Sequence, residues 1–166
     1  MVRQLWLLRH AEAEPHGSRE DSQRRLTDRG EEQARLAGLA IARLQARFDA
    51  ILVSPKVRAA RTAELAAEAF SEEQRALVRA YPQLAGGFRA ADALEALAAA
   101  GPEGRVLLVG HEPDLSQTAG ELTGGRVDVK KGGLAVLRLD GGGAELAILL
   151  RPREVAMLAG VPVGGH

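Results

Sequence analysis

Three short stretches of this 166-residue chain carry an apolar run into residues suited to binding an oxyanion: "LWLLRHAEAE", "ILVSPKVR" and "LLVGHEP". They deliver Arg9 and His10, then Arg58, then His111. A guanidinium offers a planar fork of donors that matches phosphate oxygens two at a time. Each stretch has an ordinary explanation when taken singly. A histidine after a strand is commonly a surface residue, "SP" stops a strand and starts a helix, and Arg58 could be a helix-surface charge. Together they end consecutive apolar runs on the same chemistry. Two guanidiniums and two imidazoles converging would form a pocket for a doubly charged oxyanion. His10, His111, Glu12 and Asp114 could alternatively ligate a metal, but two arginines in the same pocket would oppose a dication. Neither a helical HExxH nor the phosphate loop GxxxxGK[ST] is present. The expectation is an anion pocket with no metal and no cofactor.

Such convergence needs a scaffold that brings strand ends together. Val2 to Leu8 reads as a central strand. In "LTDRGEEQ", Asp28 followed by Glu31 has the spacing of a capping box. Ala34, Ala37, Ile41, Leu44 and Phe48 then form one helical stripe. "DAILVSP" predicts a second strand, with a helix from Lys56 to about Phe70 that places Thr62 on the face of Arg58. "ALVRAYP" is a third strand, "ADALEALAAAG" a helix closed by Gly101, and "RVLLVGHEP" a fourth strand, followed by a helix from about Asp114. "LAVLRL" and "AELAILL" flank a glycine-rich turn and predict a hairpin of antiparallel edge strands. The fold class expected is a single α/β domain spanning residues 1–166: a three-layer sandwich with a mostly parallel sheet, helices on both faces and an antiparallel C-terminal hairpin. Ligands of such sheets bind beyond the carboxyl ends of the strands.

Composition narrows the function. Basic and acidic residues number 22 each, so the net charge is zero. That argues against a nucleic-acid partner, which needs clustered basic surface, while leaving room for one local basic pocket. Only Lys56, Lys130 and Lys131 are lysines; every other basic residue is arginine. Without cysteine, disulfides, thiolate metal sites and cysteine nucleophiles are excluded. The apolar run Leu5 to Leu8 is too short to span a membrane, and no signal-peptide pattern surrounds it. A soluble, cytoplasmic protein is expected.

The blocks "LLRHAEAE", "LTDRGEEQA", "VSPKVRAARTAE" and "LLVGHEPDLS", in this order, resemble the histidine phosphatase superfamily. The short form and "GHEPD" are similar to its SixA-type branch, known for removing phosphate from phosphohistidine on proteins. The resemblance implies that His10 is a nucleophile that becomes transiently phosphorylated. It implies that Arg9 and Arg58 bind phosphoryl oxygens, and that His111 hydrogen-bonds the phosphoryl group. Arg24, in the first loop, would either be an indirect phosphate contact behind them or, as the simpler reading, a solvated loop charge. Neighbouring arginines would keep His10 neutral, as a nucleophile must be.

Two departures from the family pattern bear on the substrate. Many members insert a helical lid between the helix of Thr62 and the strand that begins at Arg105. Here roughly forty residues separate the two, and a strand and a helix already occupy them. An open cleft is expected, able to admit a loop or helix of another protein. Gln83 stands where the family often has a proton-donating acid. A phosphohistidine expels imidazole, whose conjugate acid has a pKa of about 6.5 and needs no dedicated donor. An alkoxide does need one, and Glu12 or Asp114, or else Glu14 or Asp21, would have to supply it. The expected partner is therefore a phosphorylated protein such as a phosphotransfer domain. A broad small-molecule phosphomonoesterase and a non-catalytic phospho-ligand binding module are the alternatives.

Overall fold

The computed structural model describes residues 2–161. Six strands form one sheet: β1 (Arg3–Arg9), β2 (Ala50–Val53), β3 (Val78–Ala80), β4 (Arg105–Gly110), β5 (Leu134–Asp140) and β6 (Gly143–Leu150). Their order across the sheet is β3-β2-β4-β1-β5-β6. The first four run parallel, and β5 and β6 are antiparallel to their neighbours. The α/β architecture expected from the alternation is the one observed. One detail differs: β5 is not an edge strand, because it pairs with β1 from Leu134 to Leu139 and with β6 on its other side.

The continuous apolar runs of β1 and β4 arise because both faces of the sheet are covered. Successive side chains point to opposite faces. Leu5, Leu7, Val106 and Leu108 pack with Ala93 and Leu97 of α4 (Ala90–Ala99) and with Leu115 and Ala119 of α5 (Asp114–Thr123). Trp6, Leu8, Leu107 and Val109 face the other way. They meet Ala37 and Ile41 of α1 (Asp28–Arg43), Ala59 and Ala63 of α2 (Val57–Ala67) and Val155 of α6 (Pro152–Leu158). Among the described residues no helix is long and apolar enough to cross a membrane.

Several helix ends depart from expectation. The N-cap of α1 is Thr27, whose Oγ1 accepts from the Gly30 amide at 3.0 Å, so Asp28 is the first helical residue rather than the cap. The stripe of α1 holds for Ala34, Ala37 and Ile41, whereas Leu44 is the C-cap and Phe48 lies beyond the helix. Both of the latter still join the cluster on this face, so the pattern reported burial correctly past the helix end. Helix α2 stops at Ala67, short of Phe70. The one-turn α3 (Glu72–Arg75) and α6 were not anticipated. Each is short, and the periodicity of four to seven residues says little.

Helices α1 and α2 cross at glycine. A Cβ at Gly38 would collide with the backbone of Ala66, and one at Gly30 with the backbone of Glu12. Both contacts are with backbone, which cannot rotate away as a side chain would. Gly38→Ala should therefore lower the unfolding free energy by about 2 kcal/mol or more, the usual cost of overpacking. Urea denaturation checks this; an unchanged midpoint would show that the two helices can separate freely.

Candidate active site

Strand register builds the site. Leu8, Val109 and Val53 are level across β1, β4 and β2, and Arg9 stands opposite Gly110. The next residues out are therefore neighbours at the carboxyl rim. The His10 amide donates to the Gly110 carbonyl at 3.0 Å, and the Ser54 amide to the Val109 carbonyl at 3.0 Å. His10 and His111 end with ring centroids 5.2 Å apart. Arg58 enters from the first turn of α2. Thr62 secures that helix by donating to the Arg58 carbonyl at 2.7 Å and accepting from the Ala11 amide at 3.1 Å. His10, Arg24, Arg58 and His111 are all buried. The structure thus gathers His10, His111, Arg9, Arg58 and Arg24 around one end of the sheet.

The hydrogen bonds assign the imidazole protons. His10 Nδ1 lies 2.8 Å from the Ala11 carbonyl, which can only accept. Nδ1 therefore carries the proton and Nε2 presents a lone pair. His111 Nε2 lies 2.7 Å from Ser54 Oγ, which is fully buried. That hydroxyl accepts from the Lys56 amide at 3.3 Å and has no other acceptor among the described residues, so its own proton is directed at Nε2. The ring proton of His111 is then on Nδ1. His111 Nδ1, Arg9 Nε and Arg58 Nε are buried without a hydrogen-bond partner among the described residues. Buried donors are normally satisfied, and three orphaned donors on residues at the rim suit an acceptor-rich ligand such as a phosphoryl group.

Electrostatics complete the pocket. Burial pushes the His10 pKa down to about 3; the hydrogen bond to the Ala11 carbonyl opposes the shift, and the charges of Arg58 and Arg9 add to it. His111 is lowered to about 4, first by burial and then by Arg58 and Lys56. Both rings are neutral at physiological pH. Asp21, in a 3-10 turn (Asp21–Gln23), is the counter-charge. Its carboxylate accepts from Lys56 Nζ at 2.9 Å, from Arg24 at 3.0 and 3.1 Å, and from Arg58 Nη2 at 3.3 Å. Its backbone carbonyl takes Arg58 Nη1 at 2.7 Å. The hydrogen bond from Lys56, followed by those cations, holds Asp21 far below the usual carboxylate range. It is a permanent anion and a poor proton donor. Arg24 also donates to the Glu14 carbonyl at 2.8 Å, while Arg9 Nη1 donates to the Val129 carbonyl at 3.1 Å.

The carboxylates considered as proton donors are bonded elsewhere. Glu12 accepts from Thr27 Oγ1 at 3.0 Å and lies 3.8 Å from Arg29. Asp114 accepts from the Phe88 amide at 3.2 Å. The Glu14 carboxylate pairs with Arg19 at 2.7 Å. Gln83 is exposed on a 3-10 turn (Pro82–Ala85) whose Leu84 packs close to Gly110, at the end of β4. Sequence reasoning missed Ser54 as a partner of His111, and Asp21 as the hub of the cations. The Asp21–Arg24 spacing was a usable signal. Nothing local linked Asp21 to Arg58, 37 residues on. Among the described residues no group of three or more His, Asp or Glu side chains could hold a metal ion.

Residues 5–80 match the model of the histidine phosphatase superfamily (branch 1), a span that contains Arg9, His10, Arg24 and Arg58. An uncharacterized protein of Picosynechococcus sp. is 33% identical over 146 residues, covering 81% of this chain and 84% of that protein. The protein histidine phosphatase SixA complexed with tungstate superposes with a TM-score of 0.78 at 24% identity, over 92% of this chain and 99% of its own. A candidate phosphohistidine phosphatase SixA from Nakamurella multipartitia gives 0.75 at 27% identity, over 92% and 97%.

The depressed histidines make a stability prediction. Below the unfolded value of about 6.5, the unfolded chain gains protons that the folded rings refuse. Their contribution is full above that pH and is lost as pH falls towards about 4 for His111 and about 3 for His10. Unfolding free energy should drop by up to about 1.4 kcal/mol per pH unit for each ring. Urea titrations between pH 6.5 and 5 should show a shallower slope in His10→Gln. An unchanged slope would mean that His10 is protonated in the folded state.

Proposed function

We propose that this chain, which belongs to the histidine phosphatase superfamily, is a phosphatase that works through a phosphohistidine on His10 and acts on phosphohistidine in proteins. The observation that carries the reading is the neutral His10, with Nε2 unprotonated, set among orphaned donors of Arg9, Arg58 and His111. Nε2 attacks phosphorus; a P–N bond to His10 forms as the substrate's own P–N bond breaks. The departing imidazole leaves with a proton taken from solvent. Water then attacks the phosphorus, the bond to His10 breaks, inorganic phosphate departs and the water proton passes to solvent. Phosphoryl transfer spreads charge over the equatorial oxygens, so positioned positive charge does most of the work. Arg9, Arg58 and His111 supply it, with Arg24 beside them and Asp21 holding Arg24 and Arg58 in place.

The choice of a phosphohistidine substrate rests on the proton. Glu12, Glu14 and Asp114 are committed to other partners, Asp21 is a fixed anion, and Gln83 cannot donate as an acid. A substrate with a good leaving group tolerates this. Between α2 and β4 the chain forms only α3, β3, the 3-10 turn of Leu84 and α4. A cleft without a helical lid suits a protein such as a phosphotransfer domain.

Rapid quenching with a phosphohistidine peptide should trap an acid-labile phosphoryl group on the enzyme, absent in His10→Ala, with turnover undiminished in EDTA and blocked by tungstate. Phosphohistidine and p-nitrophenyl phosphate should exceed alkyl phosphates in kcat/KM by at least about a hundredfold, the usual worth of general acid catalysis. Equal efficiencies would make the protein a general phosphomonoesterase. Tungstate binding without turnover on any substrate would make it a binding module.

Ser54 should act through His111 as a positioning residue. Ser54→Ala releases the ring to the other tautomer, so kcat should fall about tenfold, the equivalent of one hydrogen bond worth ~1.4 kcal/mol. KM should change little. A variant that raises KM alone, with kcat intact, would show that Ser54 serves only to shape the pocket.

A further inference from the structure

The lysines that the composition sets apart flank this site. Lys56 holds Asp21, whereas Lys130 and Lys131 line a cleft of about 520 Å³ together with Arg9, Arg151 and Arg153. Arg9 therefore faces this cleft as well as the rim. The lysine turn is tied to the site by backbone bonds. The Arg9 amide donates to the Gly133 carbonyl at 3.1 Å, and the Gly132 amide donates to the carbonyls of Arg9 and His10 at 3.2 and 3.1 Å. The two glycines are required: Gly132 has φ +72°, and a Cβ at Gly133 would press on the carbonyls of Lys130 and Leu150. Lys130 pairs with Asp128 at 2.6 Å and Arg151 with Glu154 at 2.9 Å. Lys131 and Arg153 are exposed and have no ion-pair partner among the described residues.

From this arrangement we propose that the Lys130–Arg153 cleft is a docking surface for acidic side chains flanking the phosphohistidine of a protein substrate. The inference rests on the phosphatase reading and specifies its substrate. In a chain of zero net charge, a basic trough joined to the phosphate pocket raises positive potential along that approach. Apart from Arg9, its cations are spread over two segments and are exposed, which suits several carboxylates along a polypeptide. A compact second phosphate would call for donors converging on one point.

The test compares two phosphohistidine peptides, one flanked by glutamates and one by serines, with p-nitrophenyl phosphate as control. The wild type should favour the acidic peptide by about tenfold in kcat/KM, through KM, and the preference should shrink with salt as exposed charges are screened. Lys131→Ala with Arg153→Ala should abolish the preference and leave p-nitrophenyl phosphate unaffected. A preference absent from the wild type, or kept in the double variant, overturns the proposal. So does an equal loss on p-nitrophenyl phosphate, or a larger one on a small bisphosphate. Fluorescence anisotropy of a labelled, unphosphorylated acidic peptide reads the cleft without turnover. There the double variant should bind at least about fivefold more weakly, and equal binding overturns the proposal. Absence of turnover on every substrate would defeat the phosphatase reading alone, because the anisotropy measurement would still decide the fate of the cleft.

Discussion

The alignment of β1, β4 and β2 is the constraint on which the site depends. Parallel pairing sets Arg9 against Gly110 and levels Val53 with Val109, so three strand ends open onto one rim. A slip of one residue in either pairing would exchange the side chains packed against the two helical layers and draw a polar rim residue towards the core. Because both faces are buried, the core enforces the register. The residues immediately beyond the last apolar positions inherit that precision. His10, Ser54 and His111 need no device of their own to find one another.

Burial that stabilises the sheet also prepares its chemistry. The same exclusion of water that seats His10 and His111 keeps both rings neutral. Arginine remains charged under those conditions, so the pocket combines an uncharged nucleophile candidate with fixed cations. Several cations held close together repel one another, and Asp21 relieves this by touching Arg24, Lys56 and Arg58 at once. Its loop is anchored in turn through Arg24, which reaches the Glu14 carbonyl. The first loop is thus part of the pocket wall, held by charge where the strand ends are held by packing.

The glycines show how the scaffold and the site share their constraints. Gly30 and Gly38 allow α1 to approach the backbones of Glu12 and Ala66. Gly132 and Gly133 let the lysine turn fold back onto Arg9 and His10. At Gly30, Gly38 and Gly133 a backbone occupies the place a side chain would fill, and at Gly132 the chain takes a positive φ that favours glycine.

Apolar periodicity determined much in advance. The runs ending in Arg9-His10 and Gly110-His111 marked buried strands, and their alternation with helices implied a parallel sheet with a common working rim. The residues at that rim could be named because strand ends are local features. Helix ends were read less well: Thr27 caps where Asp28 was expected, since a capping hydroxyl and an acidic first turn look alike in one dimension. Partnerships across long separations were decided only by the tertiary structure. Glu12 and Asp114 had the chemistry of proton donors, yet the fold gives Glu12 to Thr27 and Asp114 to Phe88. Asp21 became the hub of three cations, and Ser54 the partner of His111, through contacts between residues remote in sequence. Hydrophobic pattern records which face of an element is buried. It carries no information on which polar side chain another segment will bring to meet it, because that depends on the relative placement of elements that only packing sets.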